Sequence, residues 1–465
     1  MTQTSDAAAR LDRRGRTPQA SMARDRQTRS GDVPPRPVSG RGAALVVAAS
    51  LGAGLILAAL LCLLVFPGAV EAVITGAALI GLGAGWALLA GLAARTGQPQ
   101  AWARIPAVLM VTTGLLMVVT APGQVALSTL GWVWPLVLAA TAVFCTTRMR
   151  RDLRGSGRWL LYPVFASMLA ASAGGLYLQV SQVGDEVPAP GHLYTVDGHR
   201  MHLDCRGTGG PTVVTEAGLG EMSASFARIA PVVAQSTRTC TFDRAGQGWS
   251  EDSSQPKDGL QAARDLHSAL AAAGEEGPYV MVGHSTGGTY VMVYAAEYPE
   301  DVAGMVLLDS SSPRQLTLIP SFEGEYRISR RLVALLPSLS RLGLGRLVPA
   351  SAISDLPQPA AEQVRAIYVS PRGLRNQRDE QAAIPELFRQ AQALTTLDDK
   401  PLAVVTATVD ASDGWGAAQD RLASLSTSST HLRVAVDHGG ILYDATGSAV
   451  SVRAITEVVA AVRGR

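Results

Sequence analysis

Between residues 43 and 180 lie five apolar stretches, at about 43–66, 72–94, 105–121, 131–147 and 159–180. Each approaches the roughly 20 residues that carry a helix across a bilayer. In lipid every backbone polar group must find its partner inside the protein, so a lone apolar segment of this length has one solution, the helix. This part of the chain is therefore expected to be an all-α transmembrane region of five spans. Gly and Ala recur along them, which suits close helix–helix packing. Across the whole chain only 17% of residues are charged and 47% are hydrophobic, a balance that points the same way.

The loops set the expected orientation. Residues 1–42 form an Arg-rich segment, with nine Arg and only four Asp among the first 41 residues. Its Ser, Thr, Gln and Pro content predicts a disordered tail. A cytoplasmic anchor beside anionic lipid explains this tail more simply than a nucleic-acid-binding arm. Arg95 and Arg104 lie between spans two and three, and Arg148, Arg150, Arg151, Arg154 and Arg158 between spans four and five. The loops near Pro67 and over residues 120–130 carry no Lys or Arg. The positive-inside rule then puts the N-terminus in the cytoplasm and everything from residue 181 outside. Cys62 and Cys145 fall within spans and read as packing residues. No charge cluster lies inside a span, which argues against an ion or proton pathway.

Residues 181–191 contain Pro188, Pro190 and Gly191 and read as a linker that breaks the last helix. From His192 the pattern changes to short β-rich runs separated by helical stretches. Strands are predicted at 193–196, 201–204, 212–215, 239–242, 279–282, 305–308, 402–406 and 432–436. Alternation of this kind predicts a largely parallel sheet with helices on both faces. After the fifth run comes Gly283-His284-Ser285-Thr286-Gly287, with a helix expected over 288–298. A serine between a strand and a helix, flanked by glycines, is the pattern of a nucleophile elbow, a turn too tight for larger neighbours.

These features together resemble the α/β-hydrolase superfamily, in its serine esterase and lipase-like branch. The residues that carry the resemblance are the elbow, the turn Phe242-Asp243-Arg244-Ala245-Gly246-Gln247-Gly248, the order of elements and a late histidine. The resemblance covers residues 192–465 and none of 1–180. It implies an eight-stranded, mostly parallel sheet in the order 1-2-4-3-5-6-7-8, with a helical cap inserted at about 313–400.

A serine becomes a competent nucleophile when a base removes its proton. In this fold the triad follows the chain order serine, acid, histidine. Of seven histidines, only His431 and His438 follow Ser285. His431 falls at the start of the last predicted strand, whereas His438 follows that strand, at the carboxyl end where catalytic groups gather. His438 is the expected base. Two acids lie just beyond strand ends, Asp309 after the sixth and Asp410 after the seventh, with Asp413 close by. The sequence resembles a subgroup whose acid follows the sixth strand and whose seventh is followed by Gly-Trp and then Leu-Ser. Gly414-Trp415 and Leu425-Ser426 fit that pattern and favour Asp309, with Asp410 as the alternative. The expected oxyanion hole uses the amides of Thr286 and Leu219. His284, Asp243 and Arg244 are expected to be structural.

In the implied strand order the second and fourth strands are antiparallel neighbours, so the resemblance implies a disulfide between Cys205 and Cys240. Such a bond needs an oxidising compartment. In the insertion, Leu316, Leu318, Ile319, Leu332, Leu335 and Leu336 are candidates for an apolar pocket or for the cap's own core. Arg327, Arg330, Arg331, Arg341 and Arg346 suit either an anionic ligand, lipid headgroups included, or a solvated face. The Cys and His spacings match no metal site, and no cofactor or nucleic-acid partner is expected. The expected function is ester hydrolysis through an acyl-enzyme, on a small-molecule or lipid ester, at the outer face of the cell membrane. The same residues would serve acyl transfer to another acceptor. The rival is a catalytically silent receptor or scaffold on this fold.

Overall fold

The computed structural model describes residues 40–184, 187–349, 351 and 355–465. The Arg-rich tail over residues 1–42 lies almost wholly outside the described residues. The chain then forms α1 (Gly40–Leu60, prolonged by a wider turn over Leu61–Val65), α2 (Glu71–Ala93), α3 (Arg104–Thr120), α4 (Gln124–Leu130), α5 (Trp134–Asp152) and α6 (Gly157–Gly184).

Five helical stretches among the described residues are long and apolar enough to cross a membrane: Gly42–Val65, Glu71–Ala93, Ala101–Thr120, Gly157–Gln182 and Ala445–Arg463. The first four coincide with expected spans one, two, three and five. The fourth expected span, 131–147, falls on α5, which ends in Arg148, Arg150 and Arg151 and is bent by 41° from α4. Part of the expected uncharged loop over 120–130 is thus α4. The last apolar helix is of another kind, because Ala454, Ile455, Val458 and Val459 bury themselves against the sheet described below. Small residues let α1, α2 and α3 approach closely. A Cβ on Gly81 would lie 2.3 Å from the Ala58 amide nitrogen, and one on Gly76 would lie 2.6 Å from the Gly114 carbonyl oxygen. The expected linker is shorter than the sequence suggests, since α6 runs on to Gly184 before the prolines act.

The sheet consists of β1 (His192–Val196), β2 (His199–Arg206), β3 (Val213–Glu216), β4 (Thr239–Phe242), β5 (Tyr279–His284), β6 (Val302–Leu308), β7 (Leu402–Ala407) and β8 (Ser429–Val434). Its order is β1-β2-β4-β3-β5-β6-β7-β8. β1, β2 and β4 pair antiparallel and the rest pair parallel. This is the order the resemblance implies. The central strands are buried on both faces and read as continuous apolar runs, as in Val280-Met281-Val282 and Met305-Val306-Leu307-Leu308. β8 begins three residues earlier than expected, so His431 lies inside it. On the edge of the parallel strands, Cys205 stands opposite Cys240, and the two are joined as a disulfide.

Helices α7 (Ala230–Val233), α8 (Gly259–Ala272) and α9 (Thr286–Glu297) flank the first half of the sheet. Between β6 and β7 the insertion forms α10 (Gln315–Leu318), α11 (Phe322–Val333), α12 (Leu336–Ser340), α13 (Ala360–Tyr368) and α14 (Pro371–Ala391). Pro385 sits inside α14. After β7 come α15 (Trp415–Ala423), α16 (Gly440–Tyr443) and α17 (Ala445–Arg463).

The cap touches the N-terminal apolar helices. Ala334 and Leu335 pack with Cys62, Ile74 and Ala77. Ser338 and Thr75 share a hydrogen bond of 2.7 Å. Arg341 pairs with the buried Glu71 at the start of α2 and donates to Gln124 Oε1 at 3.0 Å.

Candidate active site

The elbow is built by close approach. A Cβ on Gly283 would lie 2.5 Å from the Gly288 Cα, and one on Gly287 would lie 2.2 Å from the Glu216 carbonyl oxygen. No side chain fits at either position. Between them Ser285 takes φ 54° and ψ −126°, a region that L-residues rarely occupy. Its amide donates to the Leu308 carbonyl, and its carbonyl accepts from the Ser311 amide. The strain is held from the end of β6 and the residues just after it. Helix α9 starts at Thr286, two residues earlier than expected and directly after the serine.

Ser285 Oγ lies 2.9 Å from His438 Nε2. His438 Nδ1 lies 2.6 Å from Asp309 Oδ2. Asp309 is buried, and its other oxygen accepts from the Ala407 amide at 3.0 Å and the Trp415 indole at 2.8 Å. With its second oxygen held in this way, the carboxylate keeps one oxygen aimed at the imidazole. Asp410 is exposed on the wall of the same cavity, and the histidine's Nδ1 is already taken by Asp309. His431 stands elsewhere, against Asp420 at 2.9 Å and Thr406.

The loop after β3 reaches over the serine. A Cβ on Gly218 would lie 2.9 Å from the Ser285 Cβ. The Gly218 amide donates to Glu221 and the Gly220 amide to Glu380, at 2.8 and 3.0 Å. Leu219, between them, borders the cavity together with Thr286. Arg244 fixes this loop from beneath. It donates to the Ala217 and Gly218 carbonyls, pairs with Glu216 and Glu380 at 3.0 Å each, and lies over the Tyr290 ring. Asp243 accepts from the amides of Ser223 and Trp249 and pairs with His202 at 2.8 Å. Both residues brace loops.

Charge in this layer is strongly perturbed. Burial pushes Glu216 up to about 7, against the pull of Arg244. Burial also works to raise Glu221, but the His284 ring at 2.7 Å, Tyr443 and the Gly218 amide bring it down to about 2. Burial disfavours a charged His284, yet Glu221 lifts its pKa above the ordinary value.

Glu221, Glu380 and Tyr443 were not expected from sequence. The available signal was His284 itself, since a histidine buried at an elbow needs partners for both ring nitrogens.

Between sheet and cap lies a cavity of about 400 Å³. Ser285, His438, Thr286 and Leu219 border it on the sheet side; Ile319, Phe322, Tyr326, Ile384 and Phe388 line the cap side. Of the six apolar cap residues expected to be candidates, only Ile319 lines it. Leu335 packs against α1 and α2 instead, and Leu332 is exposed.

Residues 211–340 match the family model described as alpha/beta hydrolase fold. With the strand order, this defines the C-terminal part as an α/β-hydrolase fold. An uncharacterized protein of Schizosaccharomyces pombe is 30% identical over 254 residues, 47% of this chain and 46% of that protein. The uncharacterized protein YqjL of Bacillus subtilis is 37% identical over 117 residues, 25% of this chain and 46% of its own. The chain thus spans about half the length of these curated relatives. Among solved structures, Cfl2 of Burkholderia cenocepacia is 21% identical with a TM-score of 0.47, covering 58% of this chain and 95% of its own.

Proposed function

We propose that this protein is a membrane-anchored serine hydrolase that cleaves carboxylic esters of hydrophobic acyl groups. The observation that carries the reading is the hydrogen-bonded run from Ser285 through His438 to Asp309 at the edge of a capped, largely apolar cavity. In this reading His438 Nε2 takes the proton of Ser285 as its oxygen attacks the ester carbonyl carbon. The oxyanion that forms is held by the amides of Leu219 and Thr286. His438 then gives its proton to the departing alkoxide, which leaves as an alcohol. Water, deprotonated by the same histidine, attacks the acyl-serine and releases the carboxylic acid. Asp309 keeps Nδ1 protonated and stabilises the imidazolium.

The anchor is the set of five spans, with the N-terminus cytoplasmic and the hydrolase domain, residues 192–465, extracytoplasmic. The alternation of Arg-bearing and uncharged loops supports that orientation. So does the Cys205–Cys240 disulfide, which favours an oxidising compartment.

The test is labelling of native membranes with a fluorophosphonate, wild type beside Ser285→Ala. Labelling that vanishes in the variant is the expected result. An unlabelled, correctly folded wild type would overturn the reading.

A further inference from the structure

Helix α11 has two working faces. Phe322, Glu325, Tyr326 and Ser329 line the cavity. They recur at the i, i+3, i+4 and i+7 spacing of a single helical face. Beside them, in line with Glu325 at i+3 and i+7, Ile328 and Leu332 are 61% and 52% exposed. The same stripe continues to Leu335, which is packed against the transmembrane cluster of Cys62, Ile74 and Ala77. The exposed leucine and isoleucine thus extend a surface that already meets α1 and α2.

A second contact places the cap in depth. A Cβ on Gly174 of α6 would lie 2.2 Å from the Leu342 carbonyl oxygen, and one on Gly343 would lie 2.4 Å from the Gly174 carbonyl oxygen. Gly174 lies eight residues inside the end of the apolar stretch Gly157–Gln182. At the helical rise that is about 12 Å below its end. The cap therefore touches α6 at a level where α6 itself is apolar. Directly after this contact come Leu344 and Leu347, 51% and 80% exposed. Arg327 and Arg331 stand on α11 beside the stripe, the arrangement of a helix that lies in a headgroup layer.

We propose that the α11–Leu347 part of the cap is seated in the bilayer leaflet next to α1, α2 and α6, with Ile328, Leu332, Leu344 and Leu347 in lipid, and that the cavity takes its ester substrate from that leaflet. This rests on the hydrolase reading above and narrows its substrate to a membrane-resident acyl ester. The occupant of the apolar face is the lipid surface. Its continuity with the transmembrane contact and the flanking arginines argue for lipid over a second protein.

The test uses full-length protein in nanodiscs of phosphatidylcholine and phosphatidylglycerol. An environment-sensitive fluorophore is attached at Ile328→Cys, Leu347→Cys or, as control, Glu457→Cys on the exposed face of α17, with Cys62 and Cys145 replaced by Ala. Nitroxide-bearing lipids should quench the first two at least two-fold and leave the third unchanged. Equal quenching at all three sites, or none at Ile328→Cys and Leu347→Cys, would overturn the proposal. So would labels shielded only in a cross-linkable dimer. The triple variant Ile328→Ser/Leu332→Ser/Leu347→Ser should lose about ten-fold in turnover of a fluorogenic diacylglycerol in the nanodisc while keeping its rate on soluble p-nitrophenyl butyrate. An equal loss on both would overturn delivery from the leaflet. Fluorophosphonate labelling of the same samples reads Ser285 separately. A quenched but unlabelled protein would refute the hydrolase reading and leave the membrane seat standing.

Discussion

His284 Nδ1 lies 2.7 Å from Glu221 Oε2, and its Nε2 lies 3.2 Å from the backbone carbonyl of His438. Both partners can only accept, so both ring nitrogens carry hydrogen and His284 is a cation. Its raised pKa agrees. Through this pair the loop that bears Leu219, the elbow and the loop that bears His438 share one charged bridge. Glu221→Gln keeps the shape and removes the anion. The expected effect is about a ten-fold fall in kcat with little change in KM, measured on a soluble ester, because the bridge orients groups and does not touch substrate.

The same residue sets an acid limit. Glu221 is held at about 2, below the ordinary 4.5. A carboxylate with a lowered folded-state pKa stabilises the fold fully above its unfolded value, and that stability is lost as pH falls through the folded value. The shift corresponds to about 3 kcal/mol. Apparent Tm in detergent should therefore drop between pH ~5 and ~2, and drop less in Glu221→Gln.

Asp309 and Asp410 are separable. Asp309→Asn should lower kcat by about 10⁴, the effect of losing the charge behind a triad histidine. Asp410→Asn should stay within about three-fold, since its carboxylate is exposed and faces the cavity rather than the imidazole. Steady-state rates on one ester decide this, and the opposite ranking would exchange the two roles.

The disulfide closes a loop of 35 residues between β2 and β4. Chain-entropy reasoning gives about 3–4 kcal/mol for a loop of this length. Cys205→Ser/Cys240→Ser should lower the apparent Tm, and reductant should lower the wild type to the same value.

Arg341 and Glu71 join the cap to α2. Arg341→Ala leaves a buried carboxylate alone and should cost about 3–5 kcal/mol, seen as a lower Tm and faster trypsin cleavage within residues 313–400. Arg341→Met with Glu71→Leu should recover most of the loss, because it removes both charges together.

Local patterns were legible in the sequence where a rule acts over a few residues. The elbow shows in Gly283 to Gly288, and the central strands show as apolar runs. Four of the apolar stretches are equally plain. The fourth expected span was harder, since α5 carries Arg148, Arg150 and Arg151 at its end and depends on α4 for its entry. Glu221 and Glu380 were invisible because their partners, His284 and the Arg244–Gly220 pair, are 63 or more residues away.

Neighbouring residues were enough for the type of most elements, since propensity, period and glycine placement are local, but not for α4, which falls where a loop was expected. The sequence by itself also determined which serine stands on a strand-to-helix turn, and which histidines come after it. Only the tertiary structure decided that Asp309 meets His438, that a charged His284 ties two loops together, and that the cap rests on α2 and α6. Those outcomes depend on the relative placement of distant strands and helices. Side-chain contacts of a few ångström follow from the sum of all packing and from no single stretch of chain.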